Sequence, residues 1–354
     1  MRELFPELSQ PARRQSTAER LVMVGNPGEV HVGAHLYEAA TQLGYAVKFC
    51  DSGRAFEGSN WWWRKANWHL RSHRPACLME FGRLLARDCR DFSATCLLST
   101  GIAPIDETAL QRIGSLGVRR INFLTDDPWN QAHYASWFMK ALPYYDQVFS
   151  PRRANLEDLR RVGCRKVSYL PFAYASGVHF SDPPLTAEEH QRLAADVIFA
   201  GGADRDRLPW IQAMIQAGFS LALYGRYWDR ERHTKRYSRG IVGSQEIRRA
   251  VGAAKVALCL VRRANRDGHA MRTFELAAME ACILAEDTAE HREILGEDGE
   301  SAAYFRSSAE MIEKTRWLLE HDAERHRLAV SARQRLSVRK NTYADRLVSM
   351  VDSL

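Results

Sequence analysis

The sequence has no long hydrophobic run. None of its apolar stretches approaches the ~20 residues that a membrane-spanning helix needs. The first residues, from Met1 to Pro6, lack the apolar core of a secretion signal. We therefore expect a cytoplasmic protein, with the inner face of a membrane as the alternative location.

Cysteine is scarce and irregularly spaced. The chain has seven cysteines among 354 residues, and no two of them form a Cys-x-x-Cys pair. Several of them, including Cys50, Cys96, Cys259 and Cys282, lie in strand-like runs. Because disulfide frameworks pair an even number of cysteines and zinc sites need closely spaced ones, we expect reduced thiols in the core.

The glycine pattern of a dinucleotide-binding enzyme is also missing. Gly25, Gly28 and Gly33 follow the first strand-like run but do not fit Gly-x-Gly-x-x-Gly. No repeat with a period of 20 to 50 residues is visible, which disfavours a solenoid. We expect no nicotinamide or other cofactor.

Acidic residues are outnumbered by basic ones. Fifty Lys and Arg against 43 Asp and Glu give a net charge of +7, and the pI is near 9.1. This excess suits a nucleotide diphosphate, an anionic glycan, a membrane surface or nucleic acid. It is spread along the chain, without the continuous basic block of a nucleic-acid-binding arm. Residues 61–74 do interleave tryptophans with cations, which suits sugar rings, bases, a membrane interface or a helix packed on a sheet edge.

Strand-like and helix-like segments alternate along the chain, which is typical of parallel α/β sheets. The alternation begins with a buried strand at Leu21 to Gly25 and is interrupted by a polar, proline-containing stretch at residues 173–192. We predict a flexible lead-in (1–19), a first domain (20–176), a linker (177–195), a second domain (196–338) and a C-terminal helix (339–354).

The stretch from Arg262 to Asp287 contains a polar loop and a short helix between two predicted strands. The helix N-terminus would face a cleft with free N–H groups, and Arg262 and Arg272 lie beside it, which suits a diphosphate. One turn into the helix, the Glu275 carboxylate could accept hydrogen bonds from two vicinal hydroxyls, such as those of a ribose. Asp267 lies on the loop, where it could hold another hydroxyl-bearing group.

The string Arg272-Thr273-Phe274-Glu275, followed by small residues, resembles the donor-site signature of GT-B glycosyltransferases of the spore-maturation-protein-like (CgeB-like) kind. Asp267 and Glu275 are similar to two acids eight residues apart in related retaining enzymes, where the second acid grips the ribose and the first lies near the sugar. A glycine usually stands five residues after that second acid, whereas Glu280 stands there in this chain.

The resemblance extends into the first half, from Asp126-Asp127-Pro128 to Leu170-Pro171, although Ala175 to Gly177 replace an acid often found after that proline. It implies the GT-B fold, with two Rossmann-like domains facing across a cleft and a C-terminal helical tail. It also implies a hexosyltransferase-type enzyme that moves a sugar from a nucleotide-diphosphate donor, such as a UDP-sugar, to an acceptor hydroxyl.

Other loops of the second domain add to the predicted donor site. Two adjacent glycines after a strand allow close backbone approach, and Arg207 stands where the family has an arginine. The turn after Tyr224 resembles the wall beside the base. The predicted donor-binding residues are Gly201, Gly202, Arg207, Tyr224, Gly225, Arg262, Asn265, Asp267, Arg272, Thr273, Phe274 and Glu275. Asp204 and Asp206 form an acid-x-acid string, but we expect no metal, because cations rather than carboxylates surround the phosphates.

For the catalytic base, the Asp126-Asp127 pair follows a predicted buried strand, at the edge where parallel sheets place ligands. Adjacent side chains on an extended segment point in opposite directions, so only one should enter the cleft. We favour Asp127, followed by Asp126 and then His31 on the first loop.

Two alternatives remain open at this point: a basic, tryptophan-rich nucleic-acid-binding protein, and an inactive subunit that only holds a nucleotide sugar. In the favoured hypothesis, the partners are the donor and a glycan, lipid-linked, protein or small-molecule acceptor. We also expect that the protein can contact a membrane surface peripherally, and we do not expect nucleic acid as a partner.

Overall fold

The computed structural model describes residues 19–57 and 72–352. The first half of the chain forms a parallel sheet of six strands in the order β2-β1-β3-β4-β5-β6. Its strands are β1 (Arg20–Gly25), β2 (Ala46–Asp51), β3 (Cys96–Thr100), β4 (Arg119–Phe123), β5 (Gln147–Ser150) and β6 (Val167–Tyr169). The helices are α1 (Val32–Gln42), α2 (Leu78–Asp91), α3 (Glu107–Ser115), α4 (Ser136–Ala141) and α5 (Ala154–Arg161).

The second half forms another parallel six-stranded sheet, in the order β12-β11-β10-β7-β8-β9. Its strands are β7 (Ala195–Ala200), β8 (Leu221–Tyr224), β9 (Ser238–Gly240), β10 (Ala254–Cys259), β11 (Ile283–Glu286) and β12 (Ala303–Phe305). The helices are α6 (Ala187–Leu193), α7 (Leu208–Gln216), α8 (Ser244–Ala253), α9 (Met271–Ala278), α10 (Ala289–Leu295), α11 (Ser308–Glu320), α12 (Asp322–Val338) and α13 (Tyr343–Val351).

The strand order reverses once in each sheet, between β1 and β3 in the first and between β7 and β10 in the second. At such a reversal the loops after neighbouring strands diverge and leave a crevice at the carboxyl edge of the sheet. The crevice of the second sheet lies between the loops that follow Ala200 and Cys259. The two-sheet α/β architecture predicted from the sequence is confirmed.

Three short helices and one strand were not predicted, namely α4, α6, α10 and β9. Helix α6 lies inside the segment predicted as a linker, and its start carries a capping box in which Thr186 and Glu189 cap each other's backbone N–H groups. That Thr-x-x-Glu signal is readable in the sequence. All seven cysteines are free thiols and six of them are buried, as expected. The predicted lead-in and the tryptophan-rich stretch fall almost entirely outside the described residues.

The C-terminal helix α13 returns to the first sheet. Its buried Arg346 donates Nε to the Pro171 carbonyl at 2.9 Å and Nη2 to the Phe172 carbonyl at 3.0 Å. Tyr343 stacks on His35 of α1, with ring centroids 5.2 Å apart. The end of the chain therefore closes the core of the first half. Of the helices in the described ranges, none has both the length and the apolar composition to cross a membrane.

Helix α9 ends in the left-handed conformation, at the position where the resembled family usually has glycine. Glu280 has φ 57°, and the N–H of Ala281 that follows donates to the Leu276 carbonyl at 3.0 Å. A residue with a Cβ adopts this conformation at a cost of about 1–2 kcal/mol, which glycine avoids. An ion pair with Arg333 (Nη1–Oε1, 2.9 Å) holds the side chain.

Replacing Glu280 with glycine should therefore raise the free energy of unfolding by about 1 kcal/mol, because the relieved strain exceeds the value of a partly exposed ion pair. Urea denaturation measures this difference. Glu280→Ala is the control, since it loses the same ion pair and keeps the strain. Equal stability of the two variants would show that the backbone at position 280 is unstrained.

Candidate active site

A cavity of about 290 Å³ opens at the reversal point of the second sheet and is lined by both halves of the chain. The residues of the predicted site that line it are Asp126, Gly201, Gly202, Arg207, Arg262, Asn265, Asp267, Arg272 and Glu275. The structure thus brings together one acid from the first sheet and most of the predicted donor-binding residues of the second.

The floor of the cavity is the glycine turn after β7. Gly201 donates its N–H to the Tyr224 carbonyl at 2.8 Å, and its own carbonyl accepts from the indole N–H of Trp228 at 2.7 Å. Gly225 has φ 133°, and a Cβ there would lie 2.5 Å from the Gly201 carbonyl oxygen. Tyr224 and Gly225, which we predicted to contact the donor, instead support this turn from behind, because Tyr224 is buried in the core and neither residue lines the cavity.

A buried guanidinium faces this turn. Arg207 donates Nη1 to the Gly202 carbonyl at 3.3 Å and lies 3.5 Å from an Asp204 carboxylate oxygen. Its Nε is buried and has no hydrogen-bond partner among the described residues. Burial lowers the pKa of Arg207, and the nearby charge of Arg262 lowers it further. An N–H without a partner and two adjacent cations favour an anion at this position.

Helix α9 supplies an ionised carboxylate one turn from its N-terminus. Glu275 is 3% exposed and forms an ion pair with Arg272, whose Nε donates to the Ala200 carbonyl at 2.9 Å. Burial by itself would raise the pKa of Glu275, but its neighbours, first among them the charge of Arg272, outweigh it, so that the pKa is lowered. Glu275 therefore remains an acceptor of hydrogen bonds at neutral pH.

The loop after β10 is bound to the first sheet. Asp267 forms a buried ion pair with Arg152, whose Nη1 also donates to the Thr125 carbonyl at 2.8 Å. The side chain of Asn265 accepts from the Asn130 amide at 2.6 Å. Burial raises the pKa of Asp267, and the charge of Arg152 offsets this only in part. Asp267 and Asn265 therefore hold the two halves together as well as lining the cavity.

The two adjacent acids occupy opposite environments, as expected, but in the reverse assignment. Asp126 lines the cavity. Asp127 is 1% exposed and accepts from the Trp129 N–H at 3.0 Å and from Arg266 at 2.6 and 3.0 Å. The prediction that Asp127 enters the cleft was wrong, because an arginine from the other half of the chain takes its carboxylate.

His31 stands next to Asp126 at the start of α1 but does not line the cavity. Its pKa is lowered, since desolvation by its neighbours outweighs the opposing charge of Asp126. The imidazole is therefore neutral at pH 7, the state that a base requires.

Thr273 and Phe274, both predicted in the donor site, belong to the core. The hydroxyl of Thr273 accepts from the Ala270 N–H at 3.1 Å and hydrogen-bonds His291 at 3.0 Å. Phe274 is buried against the His269 ring, with centroids 5.7 Å apart. On a helix, only the side chains of one face reach the cavity, and here that face carries Arg272 and Glu275.

Sequence reasoning missed His179, which lines the cavity from the segment predicted as a linker. Its Nδ1 accepts from the Ala175 N–H at 3.0 Å, which leaves the proton of the neutral ring on Nε2, 3.7 Å from Glu275 Oε1. Burial is the main cause of its lowered pKa. Arg152 was missed as well, although it follows β5 at the same sheet edge that pointed to Asp126.

The carboxylates of the acid-x-acid string, Asp204 and Asp206, accept hydrogen bonds from backbone N–H groups. Asp204 accepts from the N–H groups of Asp206 and Arg207 at 3.1 and 2.9 Å, and Asp206 accepts from the Ala264 N–H at 3.1 Å. Within residues 19–57 and 72–352, no three His, Cys, Asp or Glu side chains come close enough to hold a metal ion. Independence of metal stays a prediction.

Comparison with known proteins agrees with this geometry. Residues 207–352, which include most of the cavity wall, match the family described as Glycosyl transferase-like. The second half of the chain is therefore similar to a glycosyltransferase domain. No curated protein matches the chain.

Solved structures show the same overall architecture. Sucrose-phosphate synthase from Thermosynechococcus elongatus has a TM-score of 0.67 at 10% identity, over 95% of this chain and 98% of that one. HepE of Anabaena, solved with UDP, has a TM-score of 0.63 at 12% identity, over 95% and 100%. A UDP-forming trehalose-phosphate synthase from Burkholderia xenovorans has a TM-score of 0.59 at 12% identity, over 94% of this chain and 99% of that one. The chain thus has the GT-B fold.

The buried ion pair between the halves gives a test of the cavity's construction. Asp267→Asn should lower the free energy of unfolding by about 3–5 kcal/mol, because Arg152 is left as a buried charge without a counter-charge. Urea denaturation measures the loss. Replacing both partners, as Arg152→Met with Asp267→Leu, should recover most of it.

Glu293→Gln is the matched control, since its exposed ion pair with Arg153 (2.7 Å) also joins the two halves. We expect a change below about 1 kcal/mol. Equal losses in Asp267→Asn and Glu293→Gln would contradict a special contribution of the buried pair.

Proposed function

We propose that this glycosyltransferase is of the CgeB-like kind and transfers a hexose from a nucleoside diphosphate sugar to an acceptor hydroxyl in the cleft. The observation that carries the proposal is the placement of Arg207, Arg272 and Glu275 in one cavity, at the carboxyl edge of β7 and β10. Two guanidinium groups and an ionised carboxylate are complementary to the diphosphate and the ribose of one ligand.

The diphosphate is assigned to the glycine turn. Gly201 and Gly202 carry no side chain that would keep a phosphate away, and the Nε of Arg207 is unsatisfied. Arg262 lies on the facing loop. Arginine matches phosphate oxygens with two N–H groups at once, and α9 directs its N-terminal end to the same cavity. HepE was solved both with UDP and with UDP-glucose, which supports uridine as the first base to test.

The ribose is assigned to Glu275. Its carboxylate is ionised and already accepts from Arg272, and the Nε2–H of His179 faces it from the other side. A carboxylate held from two sides has little freedom to turn, so its remaining lone pairs are oriented before the ligand arrives. Such preorganisation lowers the entropic cost of binding.

The departing diphosphate requires stabilisation of its growing negative charge. Arg207, Arg262 and Arg272 provide it from the cavity wall, where partly buried, fixed charges act more strongly than charges in open water. We therefore propose transfer without a divalent metal or other cofactor.

The acceptor is assigned to the side of the cleft formed by the first sheet. Asp126 faces the cavity and His31 stands beside it, neutral at pH 7. Either group could take the proton of the attacking hydroxyl in an inverting reaction. A glycan, lipid-linked, protein or small-molecule acceptor fits this assignment, and we include peripheral contact with the cytoplasmic face of a membrane.

Replacing Glu275 with Gln should weaken UDP binding by about 1–3 kcal/mol, the range for a hydrogen bond to a charged group. Calorimetric titration measures it, with circular dichroism to confirm folding. Glu246→Gln is the control, because that acid also pairs with an arginine (Arg192, 3.8 Å) but lies outside the cavity wall. Unchanged affinity in folded Glu275→Gln would exclude the ribose assignment.

Metal independence is examined by repeating the UDP titration, and by measuring turnover, once with a chelator and once with added magnesium. We expect the same affinity and the same turnover under the two conditions. Activity that disappears with the chelator and returns with magnesium or manganese would contradict the proposal.

Asp126→Asn should reduce turnover by about 10²–10⁴-fold while UDP affinity stays unchanged, as expected for loss of a general base. Asp127→Asn should instead lower stability, since Arg266 loses one of its two carboxylate partners and keeps only Asp158. Turnover of the folded enzyme should stay nearly intact. Parental turnover in Asp126→Asn would transfer the role to His31, and His31→Asn would then show the loss. Donor binding without turnover in the parent would favour an inactive sugar-binding subunit.

A further inference from the structure

The segment from Gly225 to Ile241, called here the rim loop, joins β8 to α8 beside the cavity. It carries six cations, Arg226, Arg230, Arg232, Lys235, Arg236 and Arg239, against two acids, Asp229 and Glu231. The excess of four positive charges is more than half of the +7 of the whole chain.

These cations are exposed and do not form ion pairs with any described residue. Arginines directly after the loop behave differently, since Arg248 pairs with Asp182 and Arg249 with Glu189. Unpaired like charges on one short loop repel one another, so a partner with negative charge would be favoured there.

The loop is anchored at its base. Trp228 is fully buried and donates to the Gly201 carbonyl at 2.7 Å. Thr234, also buried, donates to the Trp228 carbonyl at 2.6 Å. The N–H of Gly225 donates to the Gly240 carbonyl at 2.7 Å, which closes the loop. The cations are therefore presented by an ordered scaffold that rests on the donor-side glycine turn.

Exposed apolar side chains lie among these charges. Tyr227 is 44% and Ile241 is 68% exposed, and the guanidinium of Arg230 lies 4.2 Å from the Tyr227 ring centroid. Val30, 46% exposed, lies on the first loop and also lines the cavity. Glu29 joins that loop to the second half by accepting from the Ser244 N–H at 2.8 Å. The first loop is thus joined to the second half just after the rim loop, where Val30 and Ser244 both line the cavity.

We propose that the rim loop docks on an anionic lipid surface and so brings the cleft to an acceptor held in that surface. The inference rests on the proposed function, because it assigns the adjacent cleft to sugar transfer. Cations bind the headgroups, while Tyr227 and Ile241 enter the boundary between headgroups and acyl chains. A soluble polyanion would satisfy the charges but would leave both apolar side chains in water.

The first experiment measures binding of the whole protein to vesicles of phosphatidylcholine with and without phosphatidylglycerol, by co-sedimentation without donor. We expect binding only to the anionic vesicles. Arg232→Ala, Lys235→Ala and Arg239→Ala together should weaken it by roughly 100-fold, since each cation near such a surface contributes about fivefold.

The matched control removes three exposed cations elsewhere: Arg83→Ala, Arg87→Ala and Arg90→Ala on α2. It changes the net charge equally, and we expect less than about threefold weakening, because distant charges are screened. Ile241→Ser should reduce the part of the binding that persists in high salt. Absence of binding to anionic vesicles, equal loss in the two triple variants, or tighter binding to RNA than to vesicles would overturn the proposal.

The thermal shift caused by UDP separates this inference from the proposed function. The rim-loop triple variant should keep the shift of the parent, which shows that it is folded and that its donor site is intact. A parent that responds to UDP but ignores anionic vesicles overturns the docking alone. A parent that binds those vesicles but shows no response to UDP overturns the donor assignment alone.

Discussion

The buried ion pair between Arg152 and Asp267 is the contact on which the cavity depends. Each partner comes from a different half of the chain, and both are almost inaccessible to water. A buried charge that loses its partner is costly, so the pair resists separation of the two sheets at this point. It fixes the loop after β10 against the first sheet, and that loop forms one wall of the cavity. The geometry of the site is therefore a property of the interface between the halves.

A second, polar cluster links the cavity to the end of the chain. His179 lies beside Glu275, the ring of His35 packs against that of His179 with centroids 5.4 Å apart, and Tyr343 of α13 stacks on His35. Burial, with a smaller contribution from His179, lowers the pKa of His35 to about 4, so it is neutral at physiological pH. Of these four residues Glu275 alone is then charged, and Arg272 supplies its counter-charge. The C-terminal helix thus supports the carboxylate assigned to the donor, although it lies far from it in sequence.

The sequence predicted the strands well because buried parallel strands are continuous apolar runs, and it predicted the cavity wall where residues follow strands directly. Gly201, Arg262 and Asp126 were found by that rule. The rule failed where a side chain binds a partner that is distant in sequence, as Asp127 binds Arg266. It also failed for His179, since nothing local distinguishes a linker histidine from one that folds back on a helix. Only the packing of the two halves decides those contacts.

The turn at Gly201 connects the donor side of the cleft with the rim loop. The N–H of Gly201 donates to the Tyr224 carbonyl, and the Gly201 carbonyl accepts from the Trp228 indole. A Cβ at position 225 would lie only 2.5 Å from the same carbonyl oxygen. The backbone assigned to the diphosphate is therefore the backbone on which the rim loop rests. Any shift of the rim loop on a charged surface would have to move this turn or break the Trp228 hydrogen bond. Because a buried N–H without a partner is costly, a rigid rim loop is the favoured state. Docking and donor binding can then occur together without altering each other's geometry.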